Sequence, residues 1–263
     1  MDFNLDKIKK LAINSLLVKN PKVSFLADGY GNFNFLIKEN DNKFVLRLKK
    51  SDEKQFVYSL EKEYIFLKYF EKKNIDFCPK ALFYDKKNNF LIEKFIKGER
   101  VSTKNFSNKQ IDLFAKQLHK LFILNVSDFF NFCEKNKLKK IKIITPVELL
   151  KKYGFNRFNE TKKGDIPKNL SDWIKIKLDE NLKYLSSRKV NFEKMGFCWG
   201  DIQSNVIIDN SGKMNFYDFE HTGIMDDCGL VYIKIHGKFN KRQFNYLIDR
   251  YCFYSKKNKS DIL

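Results

Sequence analysis

The run NVIIDNSGKMNFYDFE, residues 205–220, constrains the fold more than any other stretch of the chain. Val206, Ile207 and Ile208 form an apolar strand, Asn210, Ser211 and Gly212 supply turn chemistry, and Met214, Phe216 and Tyr217 lead back. Two arms this short are not stable alone and must pack into a larger core. If Asp209 faces Met214 across a four-residue turn, counting outward pairs Asn205 with Asp218. An amide and a carboxylate placed side by side at the mouth of an apolar hairpin are expensive to desolvate and call for a chemical purpose. Both are hard oxygen donors suited to Mg²⁺, which takes few protein ligands and relies on substrate phosphates for the rest. Asp201 lies four residues before Asn205 in a loop near the same end, where it can accept a proton from a substrate hydroxyl.

The first third of the chain reads as a small antiparallel sheet with one packed helix. Residues 4–17 predict a short amphipathic helix. After Pro21, VSFLADGYGNFNFLIKE and NKFVLRLKK are strand-like runs separated by Gly- and Asn-rich turns, the first with Gly29 and Gly31 in its bend. EKEYIFLKYF, residues 61–70, places Tyr64, Leu67 and Phe70 at helical spacing. ALFYD and NFLIEKFI follow as strands, so the order to about residue 96 is strand, strand, helix, strand, strand. In FVLRLKK, Phe44, Leu46 and Leu48 alternate with Val45, Arg47 and Lys49, which puts the two cations on one strand face.

From Asn108 the texture turns helical. Ile111, Phe114, Leu118, Leu121 and Phe122 recur at helix periods. Thr145, Pro146 and Glu148 make a helix start for 145–154, and further helices are predicted over 170–185 and 241–254.

A chain of 263 residues is long enough for one large domain or two lobes. Fifty-one Lys and Arg against thirty-two Asp and Glu give a formal charge of +19, a field that favours anionic partners. The lysines are spread over nearly every segment, with no basic tail or arginine-rich run, which argues against nucleic acid as the main partner. Five separated cysteines without a CxxC pair fit a reducing compartment. The charged start MDFNLDKIKK and the absence of a long apolar run give the expectation of a soluble, cytoplasmic protein without membrane insertion.

The segment WGDIQSNVIIDNSGKMNFYDFE resembles the catalytic segment of the aminoglycoside phosphotransferase and choline kinase-like family, relatives of the protein kinases. There His-Gly-Asp, then Asn, then an Asp at the end of the hairpin form the catalytic centre. The resemblance implies that Asp201 is the catalytic base, Asn205 the metal-binding amide, and Asp218 the carboxylate that holds Mg²⁺ against the nucleotide phosphates. Trp199 stands where the family usually has His, which removes a ring that can hydrogen-bond, and it is expected to pack beneath the loop.

Resemblance extends toward the N-terminus. Gly31 followed three residues later by Asn34 fits the family's glycine loop, with Gly29 beside them. Arg47 occupies the place of the family's phosphate-binding Lys or Arg, with Lys49 a competitor, and Glu63 that of the helix acid which orients it, with Glu61 a competitor. LIEKFIKGE resembles the linker between lobes, so adenine would take backbone hydrogen bonds around Glu93 to Phe95. His119 matches a scaffolding His, His221 is a candidate substrate contact, His236 has no pattern around it, and Asp227 is a candidate buttress of the catalytic loop. The resemblance spans residues 25–236, strongest over 200–220 and weakest over 125–190.

What it implies is an α+β, two-lobed protein kinase-like fold. Residues 1–96 would be a nucleotide-binding lobe and residues 97–263 a mainly helical catalytic and acceptor-binding lobe carrying the hairpin. The implied activity uses ATP and Mg²⁺ to phosphorylate a small-molecule hydroxyl, of a choline- or ethanolamine-like amino alcohol, a sugar or a related metabolite. Three other readings stand beside it: an aminoglycoside phosphotransferase, a protein kinase-like enzyme, and an inactive nucleotide-sensing or nucleic-acid-binding module. Between 131 and 190 sixteen Lys and Arg outnumber seven Asp and Glu, which weighs against a polycationic aminoglycoside.

Overall fold

The computed structural model describes residues 4–16, 18–29, 31–50, 59–138, 147, 150–161, 166–187, 195–199, 205–225 and 238–262. Helix α1 (Leu5–Leu16) leads into β1 (Lys22–Asp28), β2 (Asn32–Glu39) and β3 (Asn42–Lys49), then α2 (Leu60–Lys72), β4 (Ala81–Asp85) and β5 (Phe90–Lys94). The glycine-containing run is therefore two strands, and the sheet has five, in the order β1-β2-β3-β5-β4 with every neighbour antiparallel.

Register divides this sheet into two chemically different faces. Phe35 pairs with Leu46 and Leu46 with Ile92, and these three with Ile37 and Phe90 are buried against Ile8 and Ala12 of α1. One residue out of phase, Asn34 pairs with Arg47, Arg47 with Leu91 and Val45 with Glu93. A strand alternates its side chains between faces, so the residues opposite the α1 core form one polar inner face.

Helix α2 packs on this inner face, against β4 and β5. Ser59 caps it through Lys62 N–H at 3.1 Å. Its buried stripe holds Phe66, Leu67 and Phe70 at helix periods, with Glu63 fully buried at the head of the same stripe. Phe66 stacks on Phe129 with ring centres 5.2 Å apart, and Phe70 meets Phe197 and Phe219 edge-on at 5.8 and 5.6 Å. Aromatic residues of α2 thus share one continuous core with later elements.

Those elements are β6 (Glu99–Arg100), α3 (Asn108–Phe122), α4 (Val126–Lys135), a π-helical turn at Leu150–Phe155, α5 (Asn156–Thr161), α6 (Lys168–Ser187), β7 (Gly196–Cys198), β8 (Val206–Ile208), β9 (Met214–Phe216), β10 (Gly223–Met225) and α7 (Lys241–Ser255). Of the helix expected over 145–154, the start signal at Thr145, Pro146 and Glu148 lies outside the described residues, and Leu150–Phe155 form the π-helical turn. Capping boxes, Ser107 with Gln110 and Asn240 with Gln243, start α3 and α7. Strand β8 lies between β6 and β9, while β7 pairs with β10. The hairpin is anchored by Phe216 N–H donating to Phe77 O at 2.8 Å and by Gln117 Nε2 donating to Met214 O at 2.8 Å. No described helix is long and apolar enough to cross a membrane.

Candidate active site

The β8–β9 hairpin forms where expected, in a shifted register. Val206 pairs with Phe216 and Ile208 with Met214, so Asn205 stands opposite Tyr217, whose N–H donates to Asn205 O at 3.1 Å. Asp218 is one residue past the pairing that a four-residue turn predicts. The reason is a shorter turn of three residues, 210–212, closed by Asp209 N–H to Lys213 O at 3.0 Å. Asp209 Oδ1 accepts from Ser211 N–H and Lys213 N–H at 2.9 and 3.0 Å, and Gly212 takes φ +81° at the crest. Asn205 is buried, and Asp218 adopts a left-handed φ of +65°, uncommon for a non-glycine residue though tolerated by Asp.

What surrounds residues 218–220 comes from three other elements. Arg47 on β3 donates Nη2–H to Asp218 Oδ1 at 2.7 Å and Nη1–H to Glu63 Oε1 on α2 at 2.6 Å. The same Glu63 oxygen accepts Phe219 N–H at 2.7 Å. Asn32, heading β2, donates Nδ2–H to Glu220 Oε2 at 3.0 Å. Of the competing pairs, Arg47 and Glu63 are the residues brought together.

Trp199 also contributes a bond that its side-chain type was expected to forfeit. It is buried, stacked on Phe216 at 4.3 Å, and its Nε1–H donates to Asp218 O at 3.2 Å. The indole both packs beneath the turn and holds the backbone of the metal-candidate residue. Asp201, Asp227 and His236 lie outside the described residues. His119 packs edge-on against Tyr251, and His221 Nε2 lies 3.7 Å from Glu220 Oε1.

Gly29 and Gly31 occupy the β1–β2 turn. Gly29 N–H donates to Asn32 O at 3.0 Å, and Gly31 O accepts Lys50 N–H at 3.1 Å. A Cβ on Gly29 would stand 3.0 Å from Asn32 O, so the tight turn favours glycine there. Asn34 Nδ2 reaches Ala27 O at 3.4 Å. At the far end of the sheet, Phe95 N–H is already committed to Lys43 O at 3.1 Å, and the side chain of Glu93 is buried on the inner face near Arg47.

Electrostatically, four carboxylates crowd one guanidinium. Burial alone would lower the pKa of Arg47, but Asp218, Glu63, Glu93 and Glu220 outweigh it and hold the guanidinium charged. Burial raises Glu63, Arg47 draws it back, and the other three acids push it up again. Glu93 is raised to about 7 by burial, against the pull of Arg47 and with the push of Asp218. Oxygens of Glu63, Asp218 and Glu220 lie within 4.8 Å of one another, and buried Glu63 Oε2 has no partner among the described residues. An excess of hard oxygen donors with an orphaned carboxylate oxygen fits a small divalent cation. Glu220 and Asn32 were not singled out from the sequence. Glu220 had a signal, an acid two residues past Asp218, whereas Asn32 reads as an ordinary turn asparagine.

No protein-family model matches the sequence, and no curated protein matches it. Solved structures do match. Choline kinase LicA from Streptococcus pneumoniae superposes with a TM-score of 0.66 at 18% identity, over 95% of this chain and 80% of that one. An ethanolamine kinase of Plasmodium vivax gives 0.67 at 18% over 94% and 72%. An aminoglycoside 2'-phosphotransferase in its GDP complex gives 0.69 at 15% over 98% and 84%. These similarities, together with the five-stranded sheet, the single helix packed on its inner side and the helical second half, show that the chain has the two-lobed protein kinase-like fold of the choline kinases and aminoglycoside phosphotransferases.

Proposed function

We propose that the protein is an ATP- and Mg²⁺-dependent phosphotransferase that transfers the γ-phosphoryl group to a hydroxyl of a small molecule. The observation that carries this reading is the convergence of Arg47, Glu63 and Asp218 from β3, α2 and the end of the hairpin, linked at 2.6 and 2.7 Å. Nothing in packing alone requires a buried guanidinium shared between two carboxylates, since such groups are costly to desolvate. A site that binds triphosphate gives the guanidinium a use. Support also comes from the nucleotide complexes of similar structures, AMP with LicA and GDP with the aminoglycoside 2'-phosphotransferase.

In this reading residues 1–96 bind the nucleotide and residues 97–263 bring the acceptor and the reacting groups. Gly29, Gly31 and Asn34 shape the turn over the phosphates, where glycine lets the backbone come close to an anion. Arg47, oriented by Glu63, meets the phosphate oxygens with a planar fork. Adenine lies against the β5 end near Glu93 and Phe95. Because Phe95 N–H is spent on Lys43, a bond from it to the base would require β3 to give it up.

Asp218 and Asn205 would hold Mg²⁺, which when bound neutralises charge on the phosphates. Asp201 takes the proton of the acceptor hydroxyl as its oxygen bonds to the γ-phosphorus. The bond from that phosphorus to the bridging oxygen breaks, and the electron pair leaves with ADP. The acceptor is an amino alcohol, sugar or related metabolite, bound by the variable helices of the second half, where basic residues outnumber acidic ones.

A small-metabolite screen with ATP and Mg²⁺, read by the mass gain of one phosphoryl group and repeated with Asp218→Asn, tests the reading. A product formed by the unaltered chain and lost in the variant names the acceptor class. Failure of the unaltered chain to bind Mg²⁺-nucleotide would overturn it.

A further inference from the structure

Three consecutive residues at the end of the hairpin are each held by a different element of the sheet side. Asp218 is held by Arg47 of β3, Phe219 by Glu63 of α2, and Glu220 by Asn32 of β2. The first two belong to the reacting site as already described. The third joins residues 188 positions apart; Glu220 belongs to the same acidic cluster, whereas Asn32 has no role in that account.

Asn32 is 3% exposed and Glu220 7% exposed. Carboxylate oxygens only accept, so the amide must present Nδ2 to Glu220, and its orientation is thereby fixed. Oδ1 then faces elsewhere, buried and with no donor among the described residues. A hydrogen bond to a charged acceptor, shielded from water, is stronger than its counterpart on the surface. Asn32 is also part of the glycine turn itself, because its carbonyl accepts Gly29 N–H at 3.0 Å. One residue thus closes the turn with its backbone and grips the opposite lobe with its side chain.

We infer that Asn32 is a positioning residue, which fastens the glycine turn between β1 and β2 to Glu220 and so keeps the phosphate-binding backbone and the carboxylate of Asp218 in one frame. This rests on the phosphotransferase reading. Asn32 acts through Glu220, without touching the reacting atoms. Its loss leaves the chemistry of Asp218 intact and lets the turn drift from the phosphates, so nucleotide binding suffers first.

The test is a double-mutant cycle on the full chain, with ADP and Mg²⁺ as the probe and calorimetric Kd as the readout. Asn32→Ala is expected to weaken binding about tenfold in the unaltered background and less than about twofold in the Glu220→Ala background. Equal weakening in both, or none in either, overturns the fastening. Thermal unfolding of each variant separates this from a general loss of structure.

A reciprocal exchange decides the matter if Asn32→Ala does not fold or Glu220→Ala abolishes binding. Asn32→Asp sets carboxylate against carboxylate and should weaken binding more than Asn32→Ala. Adding Glu220→Gln restores a donor and an acceptor across the same gap, and recovery of binding is expected. No recovery overturns the proposal. Absence of ADP binding by the unaltered chain overturns the phosphotransferase reading and the fastening with it, whereas binding with uncoupled variants overturns the fastening alone.

Discussion

Arg47 is the side chain on which most of the local chemistry depends, because it is buried and balances acids from three elements. Replacing it with Met strands Glu63 and Asp218 and is expected to destabilise the fold by about 3–5 kcal/mol, measured by urea unfolding. Asp218→Asn keeps the shape of the turn and removes a charge. Phosphoryl transfer should fall by at least about 10²-fold while stability changes little, and unchanged turnover at limiting Mg²⁺ would remove Asp218 as the metal ligand. Trp199→Phe retains a ring on Phe216 but loses the bond to Asp218 O, so a loss of about 1 kcal/mol is expected in the same unfolding assay. At this scale the sequence was readable where a residue fell on the hairpin or matched the family's motif. Arg47 and Glu63 were reached through the family resemblance, each beside a competitor, and the structure joins these two. Asn32 broke no pattern, since asparagine beside glycine is what any turn contains.

Elements were predicted well where burial has a period. Helices α2, α3 and α7 formed within two or three residues of expectation, and their buried apolar positions repeat at helical spacing. The hairpin was anticipated too, but its register slipped by one because the turn length depends on how Asp209 folds back onto Ser211 and Lys213, a local competition that strand patterning does not encode. Packing between elements supplies a sharper prediction at Gly196 in β7. A Cβ there would stand 2.0 Å from Phe122 O at the end of α3. Gly196→Ala must push the strand off the helix, with an expected loss of at least about 1–3 kcal/mol by urea unfolding, and a neutral result would mean that the two elements are not in contact.

For the whole molecule, the buried acids imply a pH dependence of stability. Glu93 is raised by burial from an ordinary value of 4.5 to about 7. Between those values the folded chain holds a proton that the unfolded chain has released, so stability falls as pH rises through this window. The effect is on the order of 3 kcal/mol, and Glu93→Gln should flatten the slope of unfolding free energy between pH 5 and about 7. The aromatic core that carries α2 into the second half has a related consequence. Phe66→Ala opens a cavity among Phe70, Phe129 and Phe197, and should cost about 3–5 kcal/mol in a single cooperative transition. Two separate transitions would show that the sheet side and the helical side unfold independently.

By itself the sequence determined the α+β class, the helices with strong apolar periods, the two-faced strand around Arg47 and the cluster of polar residues near the hairpin, since each rests on chemistry within a few residues. Tertiary structure decided which acid Arg47 meets, that Trp199 holds Asp218 by its indole N–H, and that Asn32 and Glu220 meet across 188 positions. Such contacts are made by backbone paths that bring distant segments together, and no local pattern carries information about a partner that far along the chain.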